Sequence, residues 1–269
     1  MAAIVVPLSM IPTLTDEEQI SFRHLNHYLG KYDIYLLTPQ SLQLQFPTEN
    51  AAIKRFPNKY FGSVRAHAKL LFSPIFYQTF IDYEYILMYH LDSLVLSDRL
   101  QEWCETGIDY IGAPWIICDE KPWVKEMEVG NGGFALCKVR SFLNVILSDR
   151  YHTEPDQYWA NFCQSAPKYK QYLNLPKKYL KRLKMFNGVK WHMSNYLSPK
   201  NFINVDEFWS REATRYDPDF KVAPFEMGLR FAFETVPRQC FEMNNREMPF
   251  GCHAWHKFDR EFWEPYLLQ

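Results

Sequence analysis

The sequence predicts an α/β fold, a Rossmann-like, mostly parallel central sheet flanked by helices. Three observations carry this. The opening third alternates strand, helix and strand signals, the βαβ order of a parallel sheet. An entirely apolar run, Tyr85 to Tyr89, is followed closely by a carboxylate, as a buried central strand with a polar residue past its carboxyl end reads. Finally, 269 residues, 47% hydrophobic and 23% charged, suffice for one α/β core, so a single domain over residues 1–269 is expected.

The elements follow in order. Ala3 to Pro7 (AIVVP) is a short β-branched run stopped by proline, a first buried strand. Thr15 with Glu18 three residues on forms a capping box, and Ile20, Phe22, Leu25 and Leu29 recur near helical spacing until Gly30. Asp33 to Leu37 (DIYLL), halted by Thr38-Pro39, is a second strand. A helical pattern from Ser63 runs through Ala66, Leu70 and Leu71 to Pro74, ahead of the YILMY strand and Asp92. Asp109 to Pro114 reads as a short strand and turn, and the Trp- and Pro-rich stretch after it as a loop over the site. Gly130 to Gly133 reads as a glycine turn entering a strand at Phe134.

Composition excludes several function classes. A formal net charge of −1, with no basic stripe interleaved with aromatics for stacked bases, argues against nucleic acid as a partner. Six cysteines without a CxxC pair or zinc-ribbon spacing, and an N-terminus without a leader pattern, lead us to expect reduced thiols and a cytoplasmic location. No stretch approaches 18 consecutive apolar residues, so no transmembrane segment is expected. Residues 168–190 carry eight basic side chains among Tyr, Leu and Phe, with weak helix or strand signals. They read as an inserted surface element or as a patch facing acidic lipid, a peripheral contact at the inner membrane face.

Several residues could carry chemistry. Asp92, past a strand end, can hold a metal or a ribose, or cap a helix begun at Ser93 or Ser97. His253 and His256 can add imidazole to the same ion, or simply pack beside the tryptophans. Asp206 or Glu207 can act as a base, or start an exposed helix. The Gly130 to Gly133 cluster admits close backbone approach but matches neither GxGxxG nor the Walker A pattern. Arg65 and Lys69, four apart on one helix face, could reach a diphosphate.

The ordered segments YEYILMYHLDSLVLSDRLQEWC, DYIGAPW, GNGGFALCKV, NVDEF and PFGCHAWHK resemble, over nearly the whole chain, a bacterial family of unknown function that is itself similar to the A-type (GT-A fold) glycosyltransferases. The resemblance implies a GT-A-like domain whose N-terminal part binds a nucleotide sugar and whose C-terminal part binds the acceptor. It implies transfer of a hexose from a nucleotide diphosphate sugar, a uridine diphosphate sugar by family prevalence, to a glycan or glycolipid in polysaccharide synthesis. Such enzymes use an Asp-x-Asp motif for Mn2+ or Mg2+; here it reads Asp92-Ser93-Leu94, lacking the second carboxylate. On this resemblance, donor contacts fall to Asp92, Ser93, Asn131, Gly132 and Gly133, and metal ligation to Asp92 and His253; Pro7, after the first strand, and Arg65 and Lys69 are expected to join the donor contacts. The resemblance gives catalysis to Asp206, with Glu207 beside it and inversion as the outcome, while Trp115, Phe208 and Trp255 are expected as acceptor contacts because flat aromatic faces suit sugar stacking. Two alternatives stay open. One is a non-catalytic carbohydrate-binding protein on a decayed transferase fold. The other is a nucleotidyltransferase, against which stands a loop after the first strand, Pro7 to Pro12, without glycine or a basic residue.

Overall fold

The computed structural model of the chain describes residues 1–200 and 202–268. It is a mixed α/β structure around a six-stranded sheet. Its strands are β1 (Ala2–Pro7), β2 (Asp33–Pro39), β3 (Ala52–Phe56), β4 (Tyr85–Tyr89), β6 (Tyr110–Trp115) and β7 (Glu128–Lys138), in the order β3-β2-β1-β4-β7-β6. β5 (Leu94–Val95), β8 (Ala232–Phe233) and β9 (Gly251–Cys252) form a smaller sheet in the order β5-β9-β8. In the large sheet β1 pairs in parallel with both β2 and β4, and only β7 runs against its neighbours. The chain steps outward from β1 through β2 to β3, then returns to the other side of β1 as β4. The order therefore reverses between β1 and β4, where the loops leaving their carboxyl ends splay apart and open a crevice.

Local chemistry accounts for the elements. The Thr15 hydroxyl accepts from Glu18 N and the Glu18 carboxylate accepts from Thr15 N, the reciprocal capping read from the sequence, and the helix Asp16–Leu29 follows. β1 and β4 are buried along almost their whole length, which is why both read as unbroken apolar runs rather than alternating ones. Behind the sheet, Phe72, Tyr77, Phe142, Phe208 and Trp209 form one aromatic cluster, with the Phe142 and Trp209 rings 4.1 Å apart. Truncating such a ring to alanine costs about 3–5 kcal/mol.

Three expectations are corrected. Asp92 caps no helix: β5 follows it at Leu94, because this segment pairs with β9. The glycines lie inside β7 rather than in a turn before it. There β6 skips from Gly112, opposite Ala135, to Ala113, opposite Asn131, leaving Gly132 to Phe134 without a partner on β6. Residues 168–190 are helical, in the short helices Lys168–Leu173, Leu175–Leu180 and Lys184–Asn187 leading into Val189–Tyr196. Their apolar residues do not recur with a buried period because the segment buries almost none of them, and so the helical signal was weak.

Candidate active site

The crevice at the strand-order reversal is a cleft of about 680 Å³. Pro7 to Ile11 line it after β1, and His90 to Asp92 line it after β4. Gly62 and Ser63 stand on its wall at the start of the helix Val64–Leu71, whose first amides give that wall a positive character. His67, His256 and Lys257 complete a wall rich in nitrogen. Two other clefts of similar volume, about 700 Å³ beside Phe22 and Phe46 and about 670 Å³ beside Tyr28 and Lys31, contain none of these groups.

The small sheet assembles the charged centre. β9 lies between β5, antiparallel to it, and β8, parallel to it. Asp92 stands two residues before β5, Glu234 one residue after β8 and His253 one residue after β9. The strand directions bring all three to the same end. His253 donates through Nε2 to Asp92 Oδ1 at 3.2 Å and through Nδ1 to Glu234 Oε1 at 3.1 Å. Lys257 donates to the other Asp92 oxygen at 2.5 Å, and Lys121 pairs with the other oxygen of Glu234. Asn131 Nδ2 donates to Glu234 Oε1 at 2.5 Å, while its own oxygen accepts from Gly133 N at 2.9 Å. The result is a chain of alternating charge, Lys121, Glu234, His253, Asp92 and Lys257. Burial opposes the charge on His253, yet its bonds to the two carboxylates push its pKa up to about 9. Burial would likewise raise Asp92, but His253 outweighs it and holds the acid well below the usual range.

The glycines admit these side chains. A methyl group on Gly133 would collide with the His253 imidazole, and one on Gly132 with the Asp206 carboxylate. Burial pushes Asp206 up to about 6, with the Gly132 backbone N–H pulling in the opposite direction.

Three neutral imidazoles face the same cleft with work undone. Burial lowers His67 to about 4 and His90 to about 3, and also lowers His256. His67 Nε2, His90 Nε2 and His256 Nδ1 are buried without a hydrogen-bond partner among the described residues. Buried polar groups are seldom left so. One atom from each of His90, Asp92 and His253 lies within 4.8 Å of the others, and two imidazoles with a carboxylate are a suitable donor set for a divalent transition metal. The residues present fit such an ion once His253 gives up its Nε2 proton, with its Nδ1–H still held by Glu234. Lys257 meanwhile supplies a positive charge to Asp92 by itself.

The structure sorts the residues read from the sequence. Pro7 and Asp92 line the cleft; His253 reaches it through Asp92, while Asn131, Gly132, Gly133 and Asp206 stand behind that pair, outside the lining. Ser93 is fully buried and donates to the Gly133 carbonyl at 3.3 Å, tying the turn after β4 to β7 without reaching the cleft. Arg65 is turned away, its Nε donating to the Leu197 carbonyl at 2.7 Å, and Lys69 is exposed on the same helix. Glu207 pairs with Arg211, which also holds Glu128. Phe208 and Trp255 have no exposed surface and so offer no face to a sugar; their rings fill the core. Trp115 is buried beside Trp123, with the Arg211 guanidinium 5.4 Å from its ring. Sequence reasoning missed Glu234, Lys121, His90 and Lys257. Glu234 carried the same signal as Asp92, an acid just after an apolar run (RFAFE), whereas Lys121 sits in an irregular loop with no signal at all.

Residues 50–253 match the family described as "Protein of unknown function (DUF5672)". The chain belongs to the DUF5672 family. No curated protein matches its sequence. Among solved structures, this DUF5672 chain is similar to the apo-form of the glycosyltransferase GlyE of Streptococcus pneumoniae TIGR4, at 13% identity and a TM-score of 0.46, over 99% of this chain and 60% of that one. It thus spans about 60% of GlyE. It is also similar to a glycosyltransferase involved in the glycosylation of the major capsid of PBCV-1, at 12% identity and a TM-score of 0.41, over 98% of each chain. Among the described residues no helix is long and apolar enough to cross a membrane.

Proposed function

We propose that this DUF5672 member is a glycosyltransferase that moves a hexose from a nucleotide diphosphate sugar, a uridine diphosphate sugar by preference, to a glycan or glycolipid hydroxyl. The observation that carries the reading is the cleft at the strand-order reversal. It sets unpaired imidazoles, Lys257 and a helix start against one wall, and behind that wall, against Gly132, stands the Asp206 carboxylate, which burial pushes up to about 6. Diphosphate requires positive and hydrogen-bonding groups; the acceptor requires a base that works near neutrality.

In this mechanism the nucleotide sugar lies across the loops after β1 and β4, with its diphosphate toward Lys257 and His256. Asp206 takes the proton of the acceptor hydroxyl. The hydroxyl oxygen bonds to the anomeric carbon as the bond from that carbon to the diphosphate oxygen breaks, and the configuration inverts. Lys257 and the imidazole N–H groups of the cleft stabilise the charge that accumulates on the leaving diphosphate. A divalent ion held by His90, Asp92 and His253 would add charge neutralisation at the same place. Glu234 and Lys121 fix the His253 ring, and Gly132 N–H orients Asp206. The pairing of Asp92 with Lys257 also supports a variant in which lysine supplies the charge and no metal is needed.

The test is calorimetric titration with a panel of nucleotide diphosphates, with and without Mn2+, on the wild type, Asp92→Ala and His253→Ala. Binding of one nucleotide that is lost in both variants is expected. Binding that is indifferent to Mn2+ selects the lysine variant of the reading. No binding of any nucleotide would sink the donor site and leave a carbohydrate-binding protein as the better account. Retention of the donor's anomeric configuration in the product would exclude the role given to Asp206.

A further inference from the structure

Residues 155–186 leave the body of the molecule and return to it. The two ends meet in a short neck, where Tyr151 bridges Gly188 and the fully buried Asn187 fastens the two segments. Asn187 Oδ1 accepts from Thr153 N at 3.1 Å, and its Nδ2 donates to the carbonyls of Thr153 and Lys181 at 2.7 and 2.8 Å. Past Pro155 no residue up to 186 is buried. Nine large apolar or aromatic side chains between Tyr169 and Phe186 are exposed, with Tyr172, Leu173 and Met185 at 72%, 75% and 70%. So dense an apolar exposure marks a surface that meets something.

Charge identifies the partner. Residues 157–205 hold nine lysines and arginines and no aspartate or glutamate, so a chain of net charge −1 carries −10 over the remainder. Within the arm only Arg182 and Lys184 have acidic partners among the described residues, Asp156 and Asp149, and Lys168, Lys170 and Lys177 stand exposed. We infer that this arm is a docking surface for an anionic membrane, its lysines against lipid headgroups and its leucines, tyrosines and methionine in the interfacial layer. Short helices with bare apolar side chains set among lysines suit that boundary, and a cytoplasmic leaflet attracts each basic residue near it. A single-stranded nucleic acid would use the lysines and stack on the tyrosines, but would leave Leu173, Leu180, Leu183 and Met185 in water. The inference does not depend on the transferase reading.

Co-sedimentation with vesicles of phosphatidylcholine, alone or mixed with phosphatidylserine, tests it. The wild type is expected to bind only the mixed vesicles, and less so as salt rises. Lys168→Glu/Lys170→Glu/Lys177→Glu is expected to weaken partitioning at least a hundredfold. Leu173→Ser/Met185→Ser is expected to weaken it about tenfold with an unchanged salt dependence. Both variants should retain wild-type nucleotide binding and thermal midpoint, which separates this surface from the cleft. Failure of the wild type to bind mixed vesicles at low salt would overturn the inference. So would tighter binding to a single-stranded oligonucleotide, lost in the same variants.

Discussion

At the scale of single residues, the most informative group is Asp206. Its pKa of about 6 in the fold exceeds the ordinary aspartate value of 3.8. Its protonation therefore favours the folded state below pH 3.8, and that contribution is lost as pH rises to 6 and beyond. Above pH 6 the protein carries a buried charge that the Asp206→Asn variant lacks. The variant should thus be at least as stable as the wild type at pH 8, by no more than about 3 kcal/mol in urea unfolding. Its turnover should fall about 10²–10⁴-fold. In the wild type kcat/KM should rise through about pH 6 and level off. A stability loss at pH 8 with activity retained would identify Asp206 as a structural group. Glu234 has the opposite character, for it lies between Lys121 and His253 and balances both. Glu234→Gln should cost about 3 kcal/mol by denaturant unfolding, because it leaves two buried cations undercompensated. Adding Lys121→Met should restore part of that loss, as a double-mutant cycle will measure.

At the scale of elements, the neck and the small sheet are the devices to perturb. Asn187→Ala removes three hydrogen bonds that close the arm, a loss of about 1–3 kcal/mol. Limited proteolysis should then cut first between residues 156 and 186 while the strands stay intact. Cleavage at the same rate as in the wild type would show that the neck is held by other contacts. The backbone after the small sheet's strands holds positive φ values beside the site and beyond it. Ala254, next to His253, Val236, three residues after β8, and Asp259, the cap of the helix Arg260–Trp263, adopt φ values of 54°, 43° and 52°, uncommon for non-glycine residues and for valine a genuine outlier. Such strain persists where surrounding packing over-determines the backbone, and it gathers at functional sites.

At the scale of the whole molecule, a ligand of the cleft should act as a stabiliser. A nucleotide diphosphate at a hundred times its Kd adds about 2.7 kcal/mol, or about 5–10 °C of Tm for a chain of this size. Differential scanning fluorimetry will show whether the shift occurs and whether it vanishes in Asp92→Ala. A shift retained in that variant would move the ligand to another of the clefts. The reach of the sequence can also be measured at this scale. β1, β4 and the capped helix Asp16–Leu29 were legible because their signals are local: an apolar run, a proline stop, a reciprocal cap. The course of β7 through its glycines was not, since its bulge exists only opposite β6.

The sequence by itself determined the α/β class and the strand ending near Asp92, because both depend on residues adjacent in the chain; Asp206 and His253 came forward from among the candidates only through the family resemblance. The sequence also determined the acid-free basic segment around residues 168–190, although not its helices. The tertiary structure decided the rest. Glu234 and His253 meet Asp92 only because β9 pairs with β5 and β8, and Asp206 reaches Gly132 only because β7 carries no side chain there. Phe208 and Trp255, expected as acceptor contacts, are core for the same reason: burial is a property of what the fold places around a ring, and no local pattern encodes it.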